Sequence, residues 1–129
     1  KHNNFDFFKF VDFLTPNKHE AEFLLGKKID GFELEAAKEL KKIGSKHVII
    51  TLGSEGLVYS GDFDQIFKPI KVNAVDPVGS GDCFNGALAS MINKGENILN
   101  SINFAQKAAS LSTTKKGASQ SFPFLDEIK

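Results

Sequence analysis

The run Asp76-Pro77-Val78-Gly79-Ser80-Gly81-Asp82 leads straight into a helical pattern starting at Cys83, and it holds the residues best placed for chemistry. Two glycines ahead of a helix let the backbone come close to a ligand. The unpaired N–H groups of the first helical turn then point at an anion, and the helix dipole adds to the attraction. Asp82 at the same point is unexpected for a pure phosphate site, because a carboxylate repels a phosphate. Its presence makes sense if Asp82 accepts the proton of a hydroxyl that attacks that phosphate. Read without a ligand, Asp82 is a helix N-cap, and Gly79 and Gly81 are turn residues. The segment alone leaves both readings open. It is not a P-loop, since no Lys-Ser or Lys-Thr follows the glycines.

Asn17 and Glu20 stand three residues apart at the start of another helical pattern, on one face of its first turn. A capping box accounts for both without any ligand. Thr51-Leu52-Gly53-Ser54-Glu55-Gly56 lies at the carboxyl end of an apolar strand pattern, where open α/β sheets bind ligands. Its other reading is an ordinary glycine turn. Cys83 reads as a small buried helix residue rather than a nucleophile. His2, His19 and His47 lack metal-ligand spacing, and His19 reads as a surface residue, with a place near a phosphate as its other reading. The Lys41-Lys42 and Lys115-Lys116 pairs read as solvated helix ends, the second with contact to phosphate as its other reading.

These residues need elements to hold them. Val11 to Leu14 predicts a short strand, stopped at Pro16, which cannot donate to a ladder. Asn17 caps a helix over 18–25, with Ala21, Leu24 and Leu25 on one face and Gly26 as its end. Leu34, Ala37, Leu40 and Ile43 predict a helix over 32–43, stopped at Gly44. His47 to Leu52 is β-branched and nearly continuous, as in a strand buried on both faces of a parallel sheet. Gly53 to Gly56 is a turn, Leu57 to Ser60 a strand, and a hairpin follows through Val72. Helices are expected over 83–93, with the small residues Gly86, Ala87, Ala89 and Ser90 on one face, and over 98–114, with Ala105, Ala108, Ala109 and Leu111. Lys115 to Phe124 reads as a loop. Alternating helices and buried strands give an α/β layered architecture.

Composition narrows the function classes. The 129 residues carry 16 Lys+Arg against 16 Asp+Glu, so the Lys/Arg surplus of a general nucleic-acid binder is missing. One cysteine excludes an internal disulfide framework and a multi-cysteine zinc site. No apolar run approaches the ~18 residues of a membrane span, and Lys1 to Asn4 shows no secretory pattern. A soluble protein of the cytoplasm is expected, with no membrane or nucleic-acid partner. Thirteen phenylalanines against one tyrosine and no tryptophan predict a Phe-rich core. The chain does not begin with Met, and Asn4 to Phe10 shows no clean boundary, which suggests a segment of a longer protein. A processed or tagged start explains the missing Met equally well.

Taken in order, Pro16 to Glu22, Thr51 to Gly56, Val75 to Ala87, Lys116-Gly117-Ala118 and Ser121-Phe122-Pro123 resemble the C-terminal portion of the PfkB family of ATP-dependent carbohydrate kinases, from about Val11 to the end. The resemblance implies a ribokinase-like three-layer α/β/α sandwich with a mainly parallel sheet. It implies transfer of the ATP γ-phosphoryl to a sugar hydroxyl, first of all D-ribose to D-ribose 5-phosphate. Gly79, Ser80, Gly81 and Asp82 correspond to the anion hole and base, with Asp82 taking the hydroxyl proton. Asn17 would contact the nucleotide phosphates, and Glu20 would help hold Mg²⁺ through water. Thr51, Leu52, Gly53, Ser54, Glu55 and Gly56 would bind nucleotide. So would Gln106, which stands where relatives often have Asn or His. A K⁺ site is implied on Asp76, the carbonyls of Val78, Ser112, Lys115 and Gly117, and the Ser121 hydroxyl.

Asp76-Pro77-Val78-Gly79-Ser80 departs from the ribose branch and looks more like the phosphosugar branch, which acts on acceptors such as tagatose 6-phosphate and fructose 1-phosphate. Phe84-Asn85-Gly86-Ala87-Leu88 and Lys116-Gly117-Ala118 favour ribose. Fructose and nucleosides stay open as acceptors, as does a catalytically silent nucleotide-binding module. The family's N-terminal portion carries most sugar contacts and a lid sheet used for homodimerisation. Residues 1–129 would be the part without it, and inactive alone.

Overall fold

A computed structural model describes residues 12–71 and 79–114, and the chain divides into two compact units, Lys1–Pro69 and Ile70–Lys129. The first unit opens with strand β1 (Phe13–Leu14), which ends where Pro16 removes a donor. Helix α1 (Lys18–Leu25) begins in the expected capping box. Asn17 Oδ1 accepts the Glu20 N–H at 2.8 Å, and Glu20 Oε1 accepts the Asn17 N–H at 2.9 Å. Gly26, at φ 71°, closes the helix and donates its N–H to the Glu22 carbonyl. Helix α2 (Glu33–Ile43) has acidic residues in its first turn and Lys41 and Lys42 in its last, in the sense the helix dipole favours. Its buried stripe is Ala36, Ala37 and Leu40.

The sheet runs β1-β2-β3-β4, with β2 (His47–Thr51), β3 (Leu57–Ser60) and β4 (Asp64–Phe67). β1 pairs with β2 in parallel, Phe13 opposite His47, while β2–β3 and β3–β4 are antiparallel. Among the described strands the sheet is therefore mixed, not mainly parallel. The reason is loop length: the five residues 52–56 close a hairpin, whereas a parallel crossover needs a dozen or more. β1 reaches β2 through α1 and α2, which supply that length. Val48, Ile49 and Ile50 are all buried, so β2 is covered on both faces as expected. Val48, Ile50 and Val58 form one core cluster with Ala21, Ile29, Ala36, Ala37 and Leu40. Burying each large aliphatic side chain of this set stabilises by about 1.5–3 kcal/mol.

At the His47 end of the sheet the ring of Phe13 stacks on His47 with centroids 4.4 Å apart. His47 Nδ1 lies 2.7 Å from the hydroxyl of the fully buried Tyr59, and that hydroxyl also accepts the Asp62 N–H at 3.0 Å. A buried tyrosine needs such partners. The hairpin ends at Phe67 rather than Val72, and Val72 itself lies outside the described residues.

The second unit is built on helices α3 (Ser80–Asn93) and α4 (Ile98–Ser112), joined through Gly95 at φ 85° and the N-cap Asn97, whose side chain accepts the Asn100 N–H. Cys83 and Ala108 pack together, flanked by Ala87, Phe104 and Leu111. Of the small residues Gly86, Ala87, Ala89 and Ser90, only Ala87 packs there. Gly86, Ala89 and Ser90 are exposed, because the buried stripe of α3 runs Cys83, Phe84, Leu88. The expected Phe-rich core is not seen among the described residues; Phe5, Phe7, Phe8, Phe10, Phe122 and Phe124 lie outside them. Among the described residues the core is mainly Ile, Val, Leu and Ala; Phe67 and Phe84 are buried, whereas Phe23 and Phe32 are exposed. Phe23 falls on the opposite side of α1 from Ala21.

Candidate active site

The first unit brings two of the sequence-derived segments together. The parallel register that pairs β1 with β2 continues as a bridge between Asn17 and Thr51. The Thr51 N–H donates to the Pro16 carbonyl at 3.0 Å. The capping box and the Thr51–Gly56 segment are therefore neighbours at the carboxyl end of two adjacent strands, the position where such sheets bind ligands. Glu20 and Asn17 are both exposed. The cap uses the carbonyl oxygen of Asn17 and one oxygen of Glu20, so it leaves the Asn17 amide NH₂ to donate and the second carboxylate oxygen to accept. Capping and ligand contact are compatible in these two side chains.

The segment after Thr51 is a tight turn. Gly53–Glu55 form one turn of 3₁₀-helix, and the Leu52 N–H closes on the Gly56 carbonyl at 2.8 Å. Gly53 and Gly56 have φ of 61° and 96°, values that other residues adopt only with strain. A Cβ on Gly56 would lie 2.1 Å from the Phe67 carbonyl oxygen, so the turn and β4 touch here through backbone alone. Gly53, Ser54 and Glu55 are exposed, and Thr51 and Leu52 are half-buried. Lys18, beside Asn17, pairs with Asp30, which holds its ammonium above the usual lysine range. Two contributors here escaped the sequence reading, the Pro16 carbonyl and the Lys18–Asp30 pair. A backbone acceptor leaves no residue-type signal, and an ion pair twelve residues apart leaves none that periodicity detects.

In the second unit α3 starts three residues earlier than expected. Gly79, at φ 83°, is its N-cap and contributes no side-chain hydrogen bond. The first intrahelical bond runs from the Cys83 N–H to the Gly79 carbonyl at 3.0 Å. The N–H groups of Ser80, Gly81 and Asp82 are the first-turn donors that a helix leaves without an internal acceptor. Asp82 is thus not the N-cap but sits inside this first turn, exposed, with Gly81 exposed beside it. A Cβ on Gly81 would meet nothing within 4 Å among the described residues. Gln106 is half-buried in α4. Cys83 is buried, and burial pushes its thiol pKa up, against a hydrogen bond with Ser112 that opposes the shift. That environment fits the non-nucleophilic reading.

The residues fit the expected cations unequally. Among the described residues no three His, Cys, Asp or Glu side chains converge on a point. A Mg²⁺ ion at Glu20 would take most of its six oxygen ligands from water and phosphate, which is its common habit in phosphoryl-transfer sites. Of the K⁺ ligands, Ser112 is the last residue of α4, where helix carbonyls lack internal donors, and its hydroxyl is turned back to the Ala109 carbonyl at 2.7 Å. Asp76, Val78, Lys115, Gly117 and Ser121 lie outside the described residues. No described helix is long and apolar enough to cross a membrane.

The chain is 38% identical over 122 residues to a ribokinase of Staphylococcus aureus, covering 92% of this chain and 40% of that protein. It superposes with a TM-score of 0.88 on the structure of an Arabidopsis thaliana ribokinase complexed with ribose and ATP, at 30% identity, covering 96% of this chain and 41% of that one. A candidate ribokinase II of E. coli in complex with ATP and Mg²⁺ gives a TM-score of 0.84 at 25% identity, covering 96% of this chain and 40% of that one. The chain spans about two-fifths of the length of the curated relatives it matches. The α/β fold is that of the ribokinases. With residues 6–125 matching the pfkB family carbohydrate kinases as a whole, from β1 through both helical hairpin partners of the second unit, the chain belongs to that family.

Proposed function

We propose that residues 1–129 are the nucleotide-binding and catalytic part of an ATP-dependent sugar kinase, acting first on D-ribose to give D-ribose 5-phosphate and ADP. The observation that carries this reading is the first turn of α3, which has no side-chain cap and holds Asp82. Three N–H donors stand there without a side-chain cap, beside the exposed carboxylate of Asp82. Asp82 takes the proton from the sugar hydroxyl as its oxygen bonds to the γ-phosphorus. The bond from that phosphorus to the bridging oxygen breaks, and ADP leaves with the electron pair. The N–H groups of Ser80, Gly81 and Asp82 stabilise charge on the transferring group, and losing one such donor typically costs about 10²–10³ in rate. Asn17 and the Thr51–Gly56 turn, adjacent in the first unit, hold the nucleotide together with Gln106. Glu20 would hold Mg²⁺ through water, and the ion would neutralise phosphate charge. Asp76, Val78, Ser112, Lys115, Gly117 and Ser121 would hold K⁺, whose binding would set the geometry of the neighbouring Gly79–Asp82 segment.

The polypeptide that relatives carry beyond this region is proposed to supply the sugar contacts and the dimer interface. The ATP requirement and the single thiol favour the cytoplasm. A second acceptor class, phosphosugars, is favoured by the run Pro77-Val78-Gly79-Ser80-Gly81-Asp82.

The test is ADP release by the longest gene product containing this segment. Ribose, fructose, tagatose 6-phosphate, fructose 1- and 6-phosphates and adenosine are offered, with and without K⁺. Ribose turnover that K⁺ stimulates and Asp82→Asn abolishes is expected. Turnover on another acceptor replaces the sugar and keeps the base. ATP binding without turnover on any acceptor overturns the kinase reading in favour of a binding module. Residues 1–129 alone are expected to give no turnover.

A further inference from the structure

The turn that carries Asp82 has few anchors of its own among the described residues. Gly79 caps it without a side-chain bond, and both Gly81 and Asp82 are exposed. Glycines leave the backbone around them free to move. Cys83 is the first residue of α3 held both by backbone and by side chain. Its N–H donates to the Gly79 carbonyl at 3.0 Å, and its side chain is buried against Ala108 of α4. One turn after Ala108 comes Ser112, the last residue of α4, which is buried and shares a hydrogen bond with the Cys83 thiol. Ser112 is itself a fixed partner. Its hydroxyl donates to the Ala109 carbonyl at 2.7 Å, and the Thr113 and Thr114 hydroxyls donate to the Ser110 and Leu111 carbonyls at the same distance. The last turn of α4 is thereby closed by its own side chains.

We propose that Cys83 is a positioning residue: bonded to Ser112 and packed on Ala108, it pins the first turn of α3 to the last turn of α4 and so holds Asp82 and the N–H groups beside it in place for the transfer. Three features select it. Cys83 follows Asp82 directly, so a shift of its backbone carries the carboxylate with it. It stands at the start of the stripe along which Cys83 and Ala87 face Phe104, Ala108 and Leu111. The contact also sets the positive end of α3 against the negative end of α4, an arrangement that the two helix dipoles favour. A thiol is a weak hydrogen-bonding group, so packing on Ala108 shares the task. In this role Cys83 touches neither sugar nor phosphate. A displacement of about 1 Å at a reacting group can cost about 10²-fold in rate, so a loosened turn is enough to be felt. The inference rests on the reading of Asp82 as the base.

The test uses the longest gene product containing this segment and reads kcat and the KM for ATP separately, with the acceptor that the wild type prefers. Cys83→Ala and Ser112→Ala should each lower kcat about ten-fold and leave KM within about two-fold. The double variant should lose no more than either alone, because both changes remove the same bond. Cys83→Ser keeps a hydrogen-bonding group of similar size and should hold kcat within about two-fold of the wild type. Leu88→Ala, buried further along α3, should lower the unfolding midpoint and leave kcat within about two-fold, which separates positioning from general support of the helix. Amide exchange gives a readout without turnover. The residue-83 N–H should exchange at least about ten-fold faster in Cys83→Ala and Ser112→Ala than in the wild type or Cys83→Ser. A wild type that binds ATP without turnover sinks the kinase reading alone, because exchange still shows whether the pair holds the turn. Unchanged exchange in Cys83→Ala overturns the proposal. So does a loss of kcat in Cys83→Ser or Leu88→Ala as deep as in Cys83→Ala, or additive losses in the double variant.

Discussion

Replacing Gly56 by alanine tests how tightly the Thr51–Gly56 turn is built, and the structure sets the magnitude. At φ 96° and ψ −138° an L-residue is strained by about 1–3 kcal/mol. The added Cβ would lie 2.1 Å from the Phe67 carbonyl oxygen, and real contacts of this kind stay beyond 3.0 Å, so the two backbones must part by roughly 0.9 Å. Leu57 and Phe67 are register partners one residue away, so that parting pulls on the end of the β3–β4 ladder. It also pulls on the hydrogen bond from Leu52 to Gly56. Each bond lost costs about 1 kcal/mol, which brings the total to roughly 3–5 kcal/mol. Against a typical stability of about 5–15 kcal/mol this is severe, lowering the melting temperature by roughly 10–20 °C for a chain of this size. Gly53→Ala is the control. Its φ is 61° and a Cβ there meets nothing within 4 Å, so only the strain of about 1–2 kcal/mol remains. Thermal unfolding followed by circular dichroism reads both. Equal losses in the two variants would refute the reasoning, because strain alone would then account for Gly56.

Asn17→Ala removes the N-cap of α1 and should cost about 1 kcal/mol in urea unfolding. Glu20→Gln keeps a side chain able to complete the capping box, so stability should stay within about 0.5 kcal/mol; if the proposed Mg²⁺ role holds, Mg²⁺-dependent ATP binding by the longest gene product weakens. Burial holds the His47 imidazole below its usual range, with Lys41 and Lys46 adding to this and Asp62 and Asp12 opposing it. The unfolded chain then takes up the proton first, so stability should be full above pH of about 6.5 and fall as the pH drops through that value. His47→Gln should flatten the decline in urea midpoint between about pH 7.5 and 5.5, and an unchanged slope would remove His47 as its source. Cys83, buried with its thiol pKa raised, should react with a thiol reagent at least about ten-fold more slowly in the folded chain than in urea. Equal rates would show the thiol to be accessible.

Local chemistry was legible in the sequence and spatial neighbourhood was not. The capping box at Asn17 and Glu20, the Gly26 and Gly44 stops and the β3–β4 hairpin all depend on residues within a few positions of one another. The start of α3 was misplaced because Gly79 and Gly81 have low helix propensity. First-turn residues need little of it, since their N–H groups make no intrahelical bond. Burial of both faces of β2 was read correctly, yet it does not fix strand direction; the five-residue link to β3 does. Phe23 was grouped with core phenylalanines by type, although its phase on α1 points it outward. For the candidate site, Asn17 and the Thr51 turn were named separately. Only the parallel register makes them neighbours, and no spacing rule connects residues 34 positions apart.

That register has a consequence for the order in which the chain assembles. The partners of the β2–β3–β4 meander are at most twelve residues apart, and Thr51 and Leu57 only six. Phe13 and His47 are 34 apart. Closing the longer loop costs about 1.5 kcal/mol more entropy than closing the one between Thr51 and Leu57, by the logarithmic scaling of loop closure. The meander can nucleate within one short segment, and α2 can dock on it before β1 arrives. β1 then adds last, with only two residues of ladder to hold it. Mutations in the meander should therefore slow folding, whereas changes at Phe13 and Leu14 should mainly speed unfolding. Among the described elements of the first unit, the step that sets Asn17 beside Thr51 is accordingly the last, and the Thr51–Gly56 turn exists before its neighbour does.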